Sequence, residues 1–454
     1  MSECCPSNDW AAMLARREEL TGRGAETPRA DASSAAREPR PRRLLLCLDG
    51  VPFDVVTEAK RRGLFDTFRA PSRLLSPFPT MTNVALAQMF RATPPPGYES
   101  LYFDRDERRL SGGVRKYLGR RTPDKIPSSY MDELDYQEPL AFEFLIYVAT
   151  ERVWQADMRR FRERFLSAPP TRDFFGFLKA TDGLLHKCGP ERLHVALRSL
   201  DQILRGIQQT CGSETEIVLF SDHGMNLQDN RRVHMQTHLT ARGFQLTDDL
   251  RTRGPRPRLS TPAFGLCSFA SVYCADGSDA TEVCEALSSL EGVDFSVRRD
   301  EGDGVFVHGA SGRARIRRRE SAAGEVAYSY ERADGDPLEL AGAVSALREA
   351  GEMDDEGFAS DAAWLARTAG HAYPDAPSNI HGSLLAPRVR HTADVLVSLR
   401  DGYYYGASAF GRFVTLRATH GNALRQSTSA FLMSTHREFP AHVRAAEARP
   451  FLRG

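Results

Sequence analysis

Cysteine is scarce in this 454-residue chain and never appears in a paired CxxC spacing. Cys4 and Cys5 adjoin near the N-terminus, while Cys47, Cys188, Cys211, Cys267, Cys274 and Cys284 are scattered. That usage excludes a thiolate zinc framework and a disulfide scaffold, and reads as buried thiols in a reducing compartment. Long hydrophobic runs are also missing: no stretch approaches the ~20 apolar residues that span a bilayer. The N-terminal MSECCPSNDWAAMLARREEL has no apolar signal core, so a cytoplasmic location is expected. Charge of one sign is lacking too. With 60 Lys plus Arg against 60 Asp plus Glu the net charge is zero, which argues against bulk capture of nucleic-acid polymers or anionic membranes. There is no internal repeat.

What is present is a recurring design. Residues 1–42 form a Pro-, Arg- and Ser-rich arm that cannot bury enough apolar surface to order itself. From Arg43 the chain turns to LLLCLDG, an apolar run that reads as a buried parallel strand delivering Asp49 at its C-terminal end. FGFLKATDG delivers Asp182 in the same way, EIVLFSDHGM delivers Asp222 and His223, and FVTLRATHG delivers His420. Between them lies PERLHVALRSLDQILRGIQQ, whose Leu193, Leu197, Leu200 and Leu204 form the stripe of a packing helix. Strands alternating with helices, and polar residues at strand ends, predict an α/β fold whose open sheet has a crevice at its strand tips. The expected division is a core over 43–240 and 376–436, an inserted α+β cap over 241–375, and a tail over 437–454. A charged, partly helical insertion over 98–171 is expected to help cover the site.

Asp and His are ligand types that hold zinc and related divalent ions, and two such ions about 3.5–4 Å apart can clamp both oxygens of a phosphoryl displacement. Taken singly, Asp49 can cap a helix, Asp182 can begin a turn and His420 can sit on a surface loop. Their shared placement after apolar runs favours a common site. Asp182 and His186, four apart, share a face if the segment is helical. A threonine hydroxyl is a weak nucleophile, and both Thr80 and Thr82 of FPTMTN are candidates. His234 and His238 also have i,i+4 ligand spacing but are not needed once the other groups are filled. His371, His381 and His391 read as solvated loop histidines.

These blocks resemble the type I phosphodiesterase and nucleotide pyrophosphatase family of the alkaline phosphatase superfamily, over residues 43 to about 240 and about 385 to 435. In that family a strand-end aspartate is followed by PT-x-T, D-x-x-x-H, SDHGM and THG blocks, all present here in order. The resemblance implies an alkaline-phosphatase-like three-layer fold with a mostly parallel central sheet. It also implies one metal at Asp182, His186 and His420, and a second at Asp49, Asp222, His223 and the nucleophile Thr82. The cofactors implied are two divalent ions, zinc first, with manganese or another divalent ion as alternatives. The reaction implied is hydrolysis of a phosphodiester or pyrophosphate-type bond in a small phosphate ester through a phosphothreonine.

The chain departs from the nucleotide-cleaving members. They place an aromatic residue after the nucleophile and a phosphate-binding asparagine further on, whereas Asn83 follows Thr82 here and GYESLYFDRD holds no asparagine. Asn83 and Arg91 are the substrate-contact candidates that remain. Alternatives on the same metal set are a phosphomonoesterase, a phosphotransferase or a phosphonate hydrolase, and, in another class, a catalytically silent binding protein. A sulfatase is disfavoured, because the nucleophile position lacks the Cys or Ser followed by x-Pro-x-Arg that such enzymes use.

Overall fold

The computed structural model describes residues 42–113, 128–139, 142, 145–146, 149–252, 254–407 and 416–453. The expected N-terminal arm, parts of the 98–171 insertion and Phe413–Thr415 of the last apolar run lie outside these residues.

Five strands come from the first half of the central sheet's sequence: β1 (Arg43–Leu48), β2 (Ser72–Leu75), then, after the hairpin β3 (Leu101–Asp104) and β4 (Arg109–Gly112), β5 (Tyr136–Gln137), β6 (Phe174–Leu178) and β7 (Glu216–Phe220). The chain returns to the same sheet with β20 (Ser429–Ser434) and β21 (His442–Arg444), giving the order β21-β2-β20-β7-β1-β6-β5. β1 pairs in parallel with both β6 and β7, and β20 runs antiparallel between β2 and β7.

Every residue of β1, β6 and β7 is buried, which is why these strands read as continuous apolar runs. Alternate residues of β1 serve opposite layers. Leu44, Leu46 and Leu48 pack with Phe161 and Phe165 of α3 (Thr150–Ser167) and Leu193, Leu197, Leu200 and Leu204 of α5 (Pro190–Cys211). Leu45 and Cys47 face Leu86, Met89 and Phe90 of α2 (Thr82–Phe90). The helices α1 (Phe53–Arg61) and α4 (Ala180–Cys188) complete the strand–helix alternation. The result is a three-layer α/β arrangement around a mostly parallel sheet.

A nine-stranded sheet spans Gln245 to Leu399. In chain order it comprises β9 (Gln245–Leu246), β10 (Arg258–Ser260), β12 (Phe269–Cys274), β13 (Val293–Arg299), β14 (Gly304–Gly309), β15 (Gly312–Glu320), β16 (Val326–Gly335), β17 (Phe358–Ser360) and β18 (Val395–Leu399). Val395–Leu399, which sequence reading placed in the core segment beginning at 376, pairs with β12 and β13 in the middle of this sheet. Its segment is as apolar as a core strand, so composition does not tell the two sheets apart. Among the described residues no helix is long and apolar enough to cross a membrane.

Candidate metal centre

Asp49 follows the last residue of β1, and its N–H donates to the Leu178 carbonyl at the end of β6. Gly50 then takes φ +73°, a left-handed conformation that favours glycine. A side chain there has no room: a Cβ would lie 3.0 Å from Met225 Cε, 3.3 Å from Asp182 Oδ1 and 3.4 Å from His223 Cε1. The Gly50 N–H donates to Asp222 Oδ1 at 3.2 Å, joining the ends of β1 and β7. Asp182 lies in the first turn of α4, with His186 one turn on.

The structure brings the Asp and His candidates into two adjoining groups, Asp182 with His186 and His420, and Asp49 with Asp222 and His223. Within each group one possible donor atom per residue lies within 4.8 Å of the others. His186 Nε2 is 3.2 Å and His420 Nε2 3.6 Å from Asp182 Oδ1. His223 Nε2 is 3.4 Å from Asp49 Oδ1 and 3.3 Å from Asp222 Oδ2. The rings of His223 and His420 stack at 4.0 Å, linking the groups.

Backbone carbonyls set the tautomer of all three imidazoles. His186 Nδ1 lies 2.7 Å from the Ala418 oxygen, His223 Nδ1 2.9 Å from Gly224 and His420 Nδ1 2.8 Å from Thr80. A carbonyl only accepts, so each Nδ1 carries a proton, and a ring that is neutral turns its Nε2 lone pair toward the carboxylates. Lone pairs facing carboxylate oxygens repel unless a cation lies between them. The carboxylates agree: Asp49 Oδ2, Asp182 Oδ1 and Asp222 Oδ2 are buried without a hydrogen-bond donor. Buried polar atoms are nearly always satisfied, so three orphans at one point fit a divalent ion held by nitrogen and oxygen donors.

Ionisation follows from the same crowding. Burial, then the Asp222 and Asp182 charges, hold Asp49 well above the usual carboxylate range. Burial lifts Asp222 to about 6, against hydrogen bonds from backbone N–H groups. Burial lowers His223 to about 4, and burial with the neighbouring His223 lowers His420 to about 3, so both rings are neutral. Burial also opposes charge on His186, but the Asp182 carboxylate outweighs it and raises that imidazole. Asp182 itself is pushed below its ordinary range, its burial overcome by the three histidines.

Thr82 opens α2 with Oγ1 3.2 Å from His223 Nε2 and 3.3 Å from Asp49 Oδ1. Thr80 is occupied elsewhere: its hydroxyl accepts from the Gly421 N–H at 2.8 Å and donates to the Asn422 carbonyl at 3.3 Å. Asn83 uses Nδ2 on the Gly97 carbonyl and Oδ1 on the Val84 N–H. The structure does not bring Arg91 to the group. It is exposed at the far end of α2, nine residues and so ~13 Å from Thr82 along the axis. His238 Nε2 meets the Ala286 carbonyl, away from the centre. His381 and His391, expected on solvated loops, are buried.

Sequence reasoning missed the supporting residues. Thr181 Oγ1 donates to the Asp49 carbonyl, and Asn226 Oδ1 accepts from the Thr419 N–H. Their signal was proximity to the motif residues, which single-residue reading discounted.

Among solved structures, phosphonoacetate hydrolase of Sinorhizobium meliloti 1021 with phosphonoformate superposes with a TM-score of 0.50 at 14% identity, covering 91% of this chain and 95% of that one. Murine ectonucleotide pyrophosphatase/phosphodiesterase 5 gives a TM-score of 0.47 at 10% identity, covering 90% and 94%. At these identities the likeness concerns the fold, which is alkaline-phosphatase-like. No curated protein matches the chain. The model of one family, type I phosphodiesterase / nucleotide pyrophosphatase, does match this chain, over residues 82–307.

Proposed function

We propose that the chain is a divalent-metal-dependent hydrolase that cleaves a phosphodiester or pyrophosphate-type bond of a small ester, with Thr82 as the nucleophile. The observation that carries this reading is the position of Thr82 Oγ1, within 3.3 Å of both Asp49 and His223 at the mouth of the paired groups. Asp182, His186 and His420 would hold one divalent ion, and Asp49, Asp222 and His223 with Thr82 the other, the mixed nitrogen and oxygen donors suiting zinc. When bound, such ions supply charge neutralisation and Lewis-acid polarisation of phosphoryl oxygens.

The chain's own residues do the rest. The Thr82 hydroxyl donates to Asp49 Oδ1 at 3.3 Å, so that carboxylate would accept its proton as the oxygen attacks. Thr82 Oγ attacks phosphorus, the bond to the leaving alcohol or phosphate breaks, and that group departs with the bonding pair. Water then attacks the phosphothreonine, restoring the hydroxyl and releasing the phosphate product. The positive end of the α2 dipole faces the reacting group throughout.

Purified enzyme, Thr82→Ala and Thr80→Ala are compared on bis(4-nitrophenyl) phosphate, 4-nitrophenyl phosphate and phosphonoacetate. Thr82→Ala is expected to lose at least ~10³-fold in turnover while keeping its metal. Thr80→Ala is expected to lose less, through a loosened Gly421 loop. Diester kcat/KM is expected to exceed that of the monoester at least tenfold, about 1.4 kcal/mol of transition-state stabilisation. Turnover of phosphonoacetate alone would move the assignment to a phosphonate hydrolase on the same residues.

A further inference from the structure

Arg388 is buried at 8% exposure, and among the described residues no carboxylate pairs with it. Burial lowers its pKa to about 10, which still leaves it charged at neutral pH. A buried cation without a counter-ion is costly, so its contacts matter. Its Nη1 donates to the Phe78 carbonyl at 2.6 Å, and to the Asn379 carbonyl and Oδ1, both at 3.0 Å. Asn379 completes the grip. Its Oδ1 accepts from the Phe78 N–H at 2.7 Å and its Nδ2 donates to the Ser76 carbonyl at 3.1 Å. One amide thus treats Ser76–Phe78 as a neighbouring strand would, and the guanidinium locks that amide in place.

Both residues belong to the segment on the second sheet. Asn379 lies on the helix Ala376–Leu385, which packs against β13, β14, β15 and β16. Gly382 of that helix makes the room, since a Cβ there would stand 2.7 Å from Arg388 Nη2. The gripped segment runs through Pro79 directly to Thr80, Met81 and Thr82. On the other side Thr80 is tied to Gly421 and His420. Thr82 therefore sits at the end of a short span held at both edges.

We infer that Asn379 and Arg388 are positioning residues for Thr82, holding Ser76–Phe78 so that the Thr82 oxygen stays in register with Asp49 and His223. The inference rests on Thr82 being the nucleophile. A displaced nucleophile lowers kcat while leaving KM and the metal groups alone, because none of the Asp and His residues is touched. A role in stability alone would lower the melting temperature without that split.

The test uses the full-length metal-loaded enzyme and its Arg388→Met, Arg388→Lys, Asn379→Ala and Arg388→Met/Asn379→Ala variants. Metal content, melting temperature, kcat and KM on bis(4-nitrophenyl) phosphate are measured well below each variant's melting temperature. Arg388→Met and Asn379→Ala are expected to lose at least tenfold in kcat, with KM within threefold and metal content unchanged. The double variant is expected to be at most threefold worse than the poorer single one, because both act through one segment. Arg388→Lys is expected to recover part of the loss. A kcat within twofold of wild type in Arg388→Lys and Asn379→Ala, or a loss that only tracks lost metal, overturns the inference; these two variants decide it if Arg388→Met does not fold. Full turnover in Thr82→Ala would instead overturn the reading beneath it. An inactive Thr82→Ala beside an unaffected Asn379→Ala would remove only the positioning role.

Discussion

Acidic side chains meet opposite fates in the two sheets. On β15 and its neighbours each acid has a cation: Asp334 pairs with Arg313 at 3.0 Å, Asp300 with Arg315, Glu331 with Arg317, and Asp354 with Arg319. At the tips of β1 and β7, among the described residues, no Lys or Arg pairs with the acids: Asp222 takes the Gly50 N–H, Asp49 the Thr82 hydroxyl, and both face the neutral His223. The first arrangement is complete without a ligand; the second becomes complete only with a cation. A third group, Asp104, Asp106 and His391, shows that proximity alone does not decide. Arg390 pairs with Asp106 at 2.8 Å, and the Arg105 N–H donates to His391 Nδ1, leaving the proton on Nε2 and no lone pair for a metal. Three orphaned carboxylate oxygens at one point, with no Lys or Arg paired to them among the described residues, mark the centre.

The contrast is sharpest in activity. Asp222→Asn is expected to cost at least ~10³-fold in kcat/KM on bis(4-nitrophenyl) phosphate, and Glu331→Gln less than twofold; comparable losses would erase the distinction. Metal removal comes next. Chelation is expected to abolish turnover and lower the melting temperature, since an ion at 100 times its Kd contributes about 2.7 kcal/mol to folding. Unchanged melting after exhaustive chelation would break the argument from orphaned oxygens.

In metal-free protein the comparison reverses sign. Asp49→Asn removes one of the repelling carboxylates and is expected to raise the melting temperature at pH 8, whereas Asp334→Asn breaks a pair and is not. A smaller effect tests a buried acid on the second sheet that has a tyrosine instead of an arginine. Asp294 accepts from the Tyr373 hydroxyl, and burial raises it to about 7. Its folded pKa lies above the ordinary ~3.9, so the stability it contributes is present at acid pH and lost as pH rises toward 7. Asp294→Asn is expected to flatten that fall in thermal scans from pH 5 to 8. Smallest of all, Arg317→Ala is expected to shift stability by no more than ~1 kcal/mol, as for other exposed pairs.

Sequence reasoning worked where burial left its mark. β1, β6 and β7 are buried on both faces and therefore read as apolar runs, and Asp49 and Asp222 stand where those runs stop. The stripe from Leu193 to Leu204 packs as its spacing predicts. Residue type alone left Thr80 and Thr82 both open and the family resemblance favoured Thr82; the hydrogen bonds that occupy Thr80 with Gly421 and Asn422 left no mark in the sequence. Arg388 and Asn379 were invisible for a similar reason: an arginine reads as exposed until its partners are known. Arg91 was proposed from nearness in sequence, which the length of α2 undoes.

Two of the histidine tethers join residues far apart in the chain, which carries a consequence for synthesis. His186 leans on Ala418, and His420 leans on Thr80. Contacts of such separation form late, after the intervening chain has collapsed. As the chain leaves the ribosome, Asp49, Thr82, Asp182 and Asp222 emerge long before His420. Until then the His186 ring has no carbonyl to set its proton and the Thr80 carbonyl no ring to receive. The group that joins Asp182, His186 and His420 can therefore close only after the segment carrying His420 has been made.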